Sequence, residues 1–341
     1  MNERYRFHRQ AGVGLVEIMV AVTLSLILTA GVVHVYTGNK QTYRIQESLS
    51  RVQENGRFAL DFITRDLRNA GFLGCAGVKT KINNTLTGGT GYNWSFEQVI
   101  EGFEATSSSG WDRDPMATAG IVSPLGGHDV LTLRRSVGNP AQVTAHPGAK
   151  NPVEGFEVEP NSDLSVDDVV MATDCTDAAI FQITSIDPSG ANPKIFNEAP
   201  GGSPGNATQA LGREYIAGSQ IVQLVTSTYY VASGASGRPA LFRKDGAGVG
   251  QELVEGVEDL QILYGIDTDN NLTPNRYVTA DNVGDWGDVI SAEVRLLLQT
   301  LDDNLATQAQ AYTFNDVPSV SPDLRLRRTF TNTISIRNRT L

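Results

Sequence analysis

The sequence predicts an α+β fold: one long N-terminal α-helix packed on a mainly antiparallel β-sheet head with long loops. Three observations carry that expectation. An apolar run near the N-terminus continues, without proline, into a stretch whose apolar residues recur at helical spacing. After Gly71 the hydrophobic period shortens to that of strands. The 34 glycines and 14 prolines among 341 residues supply the turns between them.

Composition narrows the function classes. With 40% hydrophobic and 19% charged residues the chain is globular, neither disordered nor collagenous. Lys+Arg 27 against Asp+Glu 38 gives a net charge of −11, which argues against bulk nucleic-acid binding, because neutralising phosphates needs a basic surface. Two cysteines exclude a disulfide-dense scaffold and a four-cysteine zinc site but leave room for one bridge. Four histidines, His8, His34, His128 and His146, restrict metal and acid-base chemistry further.

The first twelve residues carry Arg4, Arg6 and Arg9 against Glu3, a basic leader. Val13 to Tyr36 follows as an apolar run whose one carboxylate is Glu17. At 1.5 Å per residue it spans about 36 Å, enough to cross a bilayer core of about 30 Å once. The positive-inside rule keeps the N-terminus cytoplasmic and puts everything after Tyr36 on the far side. A secretory signal peptide would need a small-residue cleavage site after the apolar run; Thr29-Ala30-Gly31 is a weak one, and that reading leaves Glu17 unexplained.

A carboxylate in an apolar span costs on the order of 3 kcal/mol, so it calls for a partner. No Lys or Arg lies between Val13 and His34. Cleavage between Gly12 and Val13 would create an α-amino group four residues before Glu17, and a staggered neighbouring copy would supply the same charge. The plain alternative is a carboxylate at the membrane edge reaching water.

Beyond the membrane run, Ile45, Leu49, Val52, Ala59, Ile63 and Leu67 recur at intervals of three, four or seven, with Gln46, Glu47, Arg51, Glu54 and Arg57 opposite. One helix from Val13 to Ala70 is expected, about 87 Å long, capped by Gly71, with Gly31, Gly38 and Gly56 as bend points. A coiled-coil dimer is the alternative, and the β character of the rest counts against it. Expected strands are Val130 to Arg134, Val169 to Ala172, Ile180 to Ile186, Ile221 to Val231, Ala240 to Arg243, Leu260 to Ile266, Val289 to Gln299 and Thr329 to Arg337. The last alternates as a strand with one wet face. Thr106 to Asp114, Asp187 to Gly212 and Gly234 to Pro239 read as loops.

Basic residues, then Gly12-Val13-Gly14-Leu15-Val16-Glu17, then an apolar helix, resemble the class III leader of type IV pilins and pseudopilins. The resemblance implies that a prepilin peptidase cuts after Gly12, that Val13 becomes the N-methylated first residue, and that Glu17 aids assembly. Val13 departs from the Phe common in the family. Asp66 to Cys75, Thr173-Asp174-Cys175, Val254 to Gly265, Trp286 to Leu298 and Ile336 to Arg339 further resemble the PilW-type minor pilins, in order across nearly the whole chain. That family joins other minor pilins in a complex that starts assembly of the pilus, built mostly of major pilin.

The implied organisation is a cleaved leader 1–12, a transmembrane or fibre-core helix half 13–36, an amphipathic half 37–71, and a periplasmic head 72–341 anchored to inner-membrane lipid. An insertion between about 80 and 215 is one way to divide the head. Cys75 and Cys175 would both lie in the oxidising periplasm, where a bridge closing about 100 residues would contribute roughly 4 to 5 kcal/mol; two free thiols are the alternative.

Enzyme signals are poor. Gly201 to Gly205 spells G-x-S-x-G, but Pro200 and Pro204 flank Ser203 in a loop, and the nucleophile elbow needs a strand before and a helix after. Gly246, Gly248 and Gly250 read as a hairpin between strands. His128 and His146 have no metal-ligand spacing and read as exposed loop residues. Asp267, Asp269 and Asn271 alternate as in the first half of a calcium loop, with Asp281 as a later candidate, but the sixth-position glycine and the closing glutamate of an EF-hand are missing, so an acidic hairpin tip is preferred and no cofactor is expected. Arg134-Arg135 and Arg325 to Arg328 would either form a basic patch or pair on a sheet surface. The expected function is that of a non-enzymatic minor pilin; the alternatives are a J-class minor pseudopilin of type II secretion and a tip adhesion or DNA-uptake module.

Overall fold

The computed structural model describes residues 12, 14–76, 80–89, 91–146, 155–160, 162–200 and 202–339. Leader residues 1–11 and Val13 lie outside the described residues. Helix α1 runs Leu15–Asn69, 55 residues, within two residues of the expected span at each end. It stops because Gly71 takes a left-handed φ of +74° and the chain turns away.

The first part of the head contains β1 (Lys81–Asn84), β2 (Ile100–Phe103), β3 (Ala105–Ser107), β4 (Gly110–Trp111), the short helix α2 (Pro115–Ala119) and β5 (Val130–Ala145). Next come β6 (Phe156–Val158), β7 (Val169–Thr173), β8 (Asp177–Gln182), β9 (Ser185–Asp187), β10 (Lys194–Phe196) and β11 (Gln220–Ser233). The C-terminal part adds β12 (Pro239–Asp245), β13 (Gln251–Glu255), β14 (Val257–Ile266), β15 (Arg276–Val278), β16 (Val289–Gln299), β17 (Ala311–Phe314), β18 (Val317–Val320) and β19 (Arg327–Ser335).

Two sheets dominate. Eleven strands form a branched sheet along β1-β8-β7-β11-β5-β6-β10-β9, and four form β15-β14-β16-β19. Among the described residues every pairing is antiparallel except β1 with β8. The larger sheet forks on its longest strands. One side of β11 pairs with β5, while its other side takes β7 near Gln220 and β12 from Ser227 onward.

The main core lies between α1 and the four-stranded sheet. Val52, Ala59, Ile63 and Leu67 meet Leu260, Ile262, Val294, Leu296 and Ile334, together with Leu131 and Tyr229 of the large sheet. The predicted helix face is thus the buried one. A second core, around Phe156, Phe181, Ile195 and Ile221, fills the distal part of the head.

Several expectations are corrected. The last strand begins at Arg327, and the chain enters a 3-10 turn at Arg337. The stretch Thr106 to Asp114 contains most of the β3–β4 hairpin, and Asp187 to Gly212 contains β10, which pairs with β6 and β9. Strands of two to four residues are too short to show a period. Gly56 is no simple bend point: it is buried, and a Cβ there would sit 2.4 Å from the Phe330 ring, so glycine lets β19 approach the helix closely.

Gly56→Ala should therefore cost about 1–3 kcal/mol while Phe330 is present. In a Phe330→Ala background the same change should gain about 0.5–1 kcal/mol of helix propensity. Urea unfolding of the detergent-solubilised full chain tests the reversal of sign; equal effects in both backgrounds would refute the contact as the reason for glycine.

The candidate assembly segment and the helix–head junction

The first half of α1 has no protein around it. Its most apolar 18-residue window has a mean hydropathy of 2.3, and none of that window is buried. Thr23 and Thr29 donate their hydroxyls to the carbonyls of Met19 and Ser25 one turn back, which satisfies these groups without water. Glu17 lies in the first turn, exposed, and lines a shallow groove with Ala21, Ser25 and Thr29, each one turn further on. It makes no ion pair among the described residues. Gly12 is exposed, next to the undescribed Val13.

The second half is strapped to the head along its length. Gln41 and Asn55 donate side-chain amides to the carbonyls of Leu305 and Glu255. Asn332 donates to Thr64 Oγ1, and Asn338 to the Ala70 carbonyl. The strongest strap is Asp66, buried on the apolar face of the helix. One carboxylate oxygen accepts from Arg135 Nη2 at 2.6 Å, and the other accepts from the Tyr229 hydroxyl at 2.7 Å, with Arg243 at 3.9 Å. Burial, reinforced by the Asp66 charge, keeps the Tyr229 phenol protonated far above its usual range. Sequence reading picked out the segment holding Asp66 but not its role; a lone acid at a core position of an amphipathic helix was the available signal.

Beyond Gly71, Cys75 and Cys175 are joined with a Cα–Cα distance of 5.0 Å. The bridge ties the segment after α1 to the β7–β8 turn. Thr173 Oγ1 accepts from the Cys175 N–H, and Asp174 accepts from the N–H groups of Thr176 and Asp177, so Thr173-Asp174-Cys175 forms the turn that presents the sulfur.

Of the arginines in the two basic stretches, Arg134, Arg135, Arg325 and Arg327 are spent on the fold, while Arg328 stays exposed. Arg134 is fully buried and lies inside the head: it bonds Glu101 at 2.6 Å and the carbonyls of Gln98 and Tyr92. Arg135 serves Asp66. Arg327 is buried against Glu258 and Asp323, and Arg325 pairs with Asp323.

The histidines depart from the exposed-loop expectation. His128 is half-buried, 2.8 Å from Asp259. His146 is buried, stacked on Phe156 at 4.1 Å, and its Nδ1 accepts the Tyr215 N–H, so Phe156 and the chain at Tyr215 shield it. Asp129 is buried where β5 begins and accepts from the N–H groups of Ala105 and Ile262, joining the two sheets. Ser203 of the G-x-S-x-G stretch lies in a turn. In the Asp267 loop, the Asp267 carboxylate accepts from the N–H groups of Asp269, Asn271 and Leu272, and Asp269 accepts from the side-chain amides of Asn271 and Asn275. Among the described residues, no group of three or more His, Cys, Asp or Glu is placed to hold a metal ion.

A bare apolar half-helix continuous with a half docked on an antiparallel head fits a membrane-anchored subunit of the pilin type. Residues 7–33 match the prokaryotic N-terminal methylation motif, and residues 228–338 match the family described as type IV pilus-assembly protein W. These matches, one at each end, support a PilW-type minor pilin associated with the type IV pilus. Pilin-family domains are structural. No curated protein matches the chain.

Asp66→Ala should destabilise the full chain by about 3–5 kcal/mol, because it leaves two arginines and a phenol facing an empty site. Asp66→Asn, which keeps an acceptor, should lose clearly less. Denaturant midpoints in detergent, with trypsin cleavage at Arg65 or Arg68 as a local reporter, check both.

Stability should also depend on pH in two opposed ways. Burial, aided by the charges of Glu104 and Asp259, pushes Asp129 up to about 8 from an ordinary value of 3.8. The native state then keeps a proton that the unfolded chain has lost, so stability falls as pH rises from about 4 to 8. Burial lowers His146, partly offset by Glu214, so the native state refuses a proton that the unfolded chain accepts, and stability falls on acidification below about 6.5. Asp129→Asn should flatten the fall in stability between about pH 6.5 and 8 whatever it does to absolute stability; an unchanged slope across that window in urea titrations would exclude Asp129 as its source.

Proposed function

We propose that the chain is a minor pilin of an initiating or tip complex. Cleavage removes residues 1–12 and leaves Val13 as the methylated N-terminus. Residues 13–36 cross the inner membrane and later enter the fibre core, 37–71 dock on the head, and the head 72–341 faces the periplasm. The partners are prepilin peptidase, other minor pilins and the major pilin.

The observation that carries this reading is the division of α1. From Leu15 to Tyr36 the helix is exposed and, apart from Glu17 and a few hydroxyls, apolar, whereas from Gln41 onward side chains of the helix and head tie the two together. A helix held rigidly at one end and bare at the other is built to pack sideways against like helices. Glu17 fits the same scheme. It has no cation within the described chain, and a carboxylate of that kind in an apolar bundle is stabilised by an ammonium, here the Val13 amine of the same or a neighbouring subunit.

N-terminal sequencing of the mature protein should start at Val13. Glu17→Ala should be processed normally, yet appear in sheared fibres at about a tenth of the wild-type level, the effect of losing ~1.4 kcal/mol in the assembled state. Normal incorporation of the variant would remove the charge-pairing role, and deletion of the chain without loss of surface pili would remove the initiating role.

A further inference from the structure

Strand β19 ends the four-stranded sheet, and its register shows which of its backbone groups are unused. Ile336 donates its N–H to the Ile290 carbonyl and Thr300 donates to Leu326. The pairing runs between these points without a bulge, from Ser291 with Ser335 to Gln299 with Arg327. In an antiparallel ladder, hydrogen-bonded pairs alternate. The even-numbered residues from Arg328 to Ile334 therefore bond β16, and the odd-numbered residues turn their N–H and C=O outward. At Arg327 the outward pair is already met: the Gln310 side chain accepts from its N–H and donates to its carbonyl, as a neighbouring strand would. At Thr329, Thr331, Thr333 and Ser335 no partner exists among the described residues. These four donor–acceptor pairs span about 20 Å.

This edge is lightly guarded, with one exposed charge, Arg328, at its start. It has no proline, no lysine and no bulge, while the opposite edge of the same sheet, β15, is cut to three residues. Beside the edge, a groove of about 850 Å³ runs between β19 and α1, with Asn332 on one wall and Glu54, Arg57, Phe58, Asp61 and Arg68 on the other. Phe58 is 52% exposed. Asp61 is paired with Arg65, whereas among the described residues Arg57 and Arg68 make no ion pair, and neither does Arg328 at the near end of the strand. Unpaired positive charge thus exceeds the single unpaired acid, Glu54, on a chain whose overall charge is −11.

We propose that β19 is completed in the fibre by an extended segment of a neighbouring, different pilus subunit. That segment adds as a fifth strand and carries Asp or Glu on the face turned toward Arg57 and Arg68, with an apolar side chain over Phe58. The inference rests on the minor-pilin reading and deepens it by placing a partner contact and stating the partner's chemistry.

The test uses the full chain in cells that make the pilus, with a benzophenone side chain introduced at Thr333. Irradiation should join the chain to another pilin-type subunit, and mass spectrometry should place the link in an acidic extended segment. Thr331→Pro removes one outward N–H and leaves the β16 ladder intact, since proline is tolerated where the N–H faces away from the sheet. It should abolish the adduct and lower the amount in sheared fibres about tenfold, and Arg57→Glu with Arg68→Glu should act in the same direction. Cleavage after Gly12 and the Cys75–Cys175 bridge should persist in every variant, which separates a lost contact from a lost fold. No adduct, an adduct to a second copy of this chain, or full incorporation of Thr331→Pro would overturn the edge proposal. Absence of wild-type chain from fibres would instead overturn the minor-pilin reading.

Discussion

The seating of the long helix on the head depends on a buried carboxylate that meets two guanidinium groups and a phenol of the eleven-stranded sheet. Asp66 takes Arg135 from β5, Tyr229 from β11 and Arg243 from β12 on one face of α1. Apolar packing of Val52, Ala59, Ile63 and Leu67 supplies most of the attraction but tolerates sliding, because it depends on area more than direction. A charge-assisted constellation has one geometry. It sets the rotation and height of the helix against the eleven-stranded sheet, and the Gly56–Phe330 approach and the Thr64–Asn332 bond, both to β19 of the other sheet, are compatible with that one setting.

From that junction the helix serves two solvents. Toward the head its polar side chains find partners in loops and strand ends; toward the N-terminus its only polar acts are hydroxyl bonds to its own carbonyls, apart from Glu17. A carboxylate left without a cation among the described residues, in an otherwise self-satisfied segment, is a directional feature, and in the proposed fibre it would give lateral packing a register. A firm junction and the proposed role of Glu17 would be complementary, since a register set at one end of a long rod reaches the head only if the rod is firmly held there.

The distal head is a separate packing problem solved on shared strands. β5 and β11 are long enough to leave the main core and build the second one around Phe156 and Phe181, so no flexible linker divides the two. The disulfide fastens this outer part to the end of α1 from the other side. What stays open is the β19 edge. The molecule meets the Arg327 backbone with Gln310, shortens β15 and covers His146, yet leaves four outward backbone pairs beside an arginine-lined groove.

Much of the fold was legible in the sequence. The helix span and its buried face follow from a period of 3.6, its stop from Gly71, and the strands expected at Val289 to Gln299 and Val169 to Ala172 from β-branched apolar runs, all local properties of the chain. The leader and Glu17 were legible for the same reason: hydropathy and charge along a single helix need no tertiary partner. Short strands such as β6 and β10 were not, because three residues cannot display a period and exist as strands only through their neighbours. Gly56 looked like a weak point until Phe330 was seen against it, and His146 looked exposed until the Phe156 ring covered it. The arginines carried charge in the sequence and lost their freedom only where Glu101, Asp66 and Glu258 were brought to them across 33, 69 and 69 residues. The sequence by itself determined which segment is bare, apolar and acidic at one point, since that depends on side chains within one helix. Only the tertiary structure decided which polar groups are spent and which remain open, because a hydrogen bond or ion pair has no existence until chain-distant partners reach contact distance.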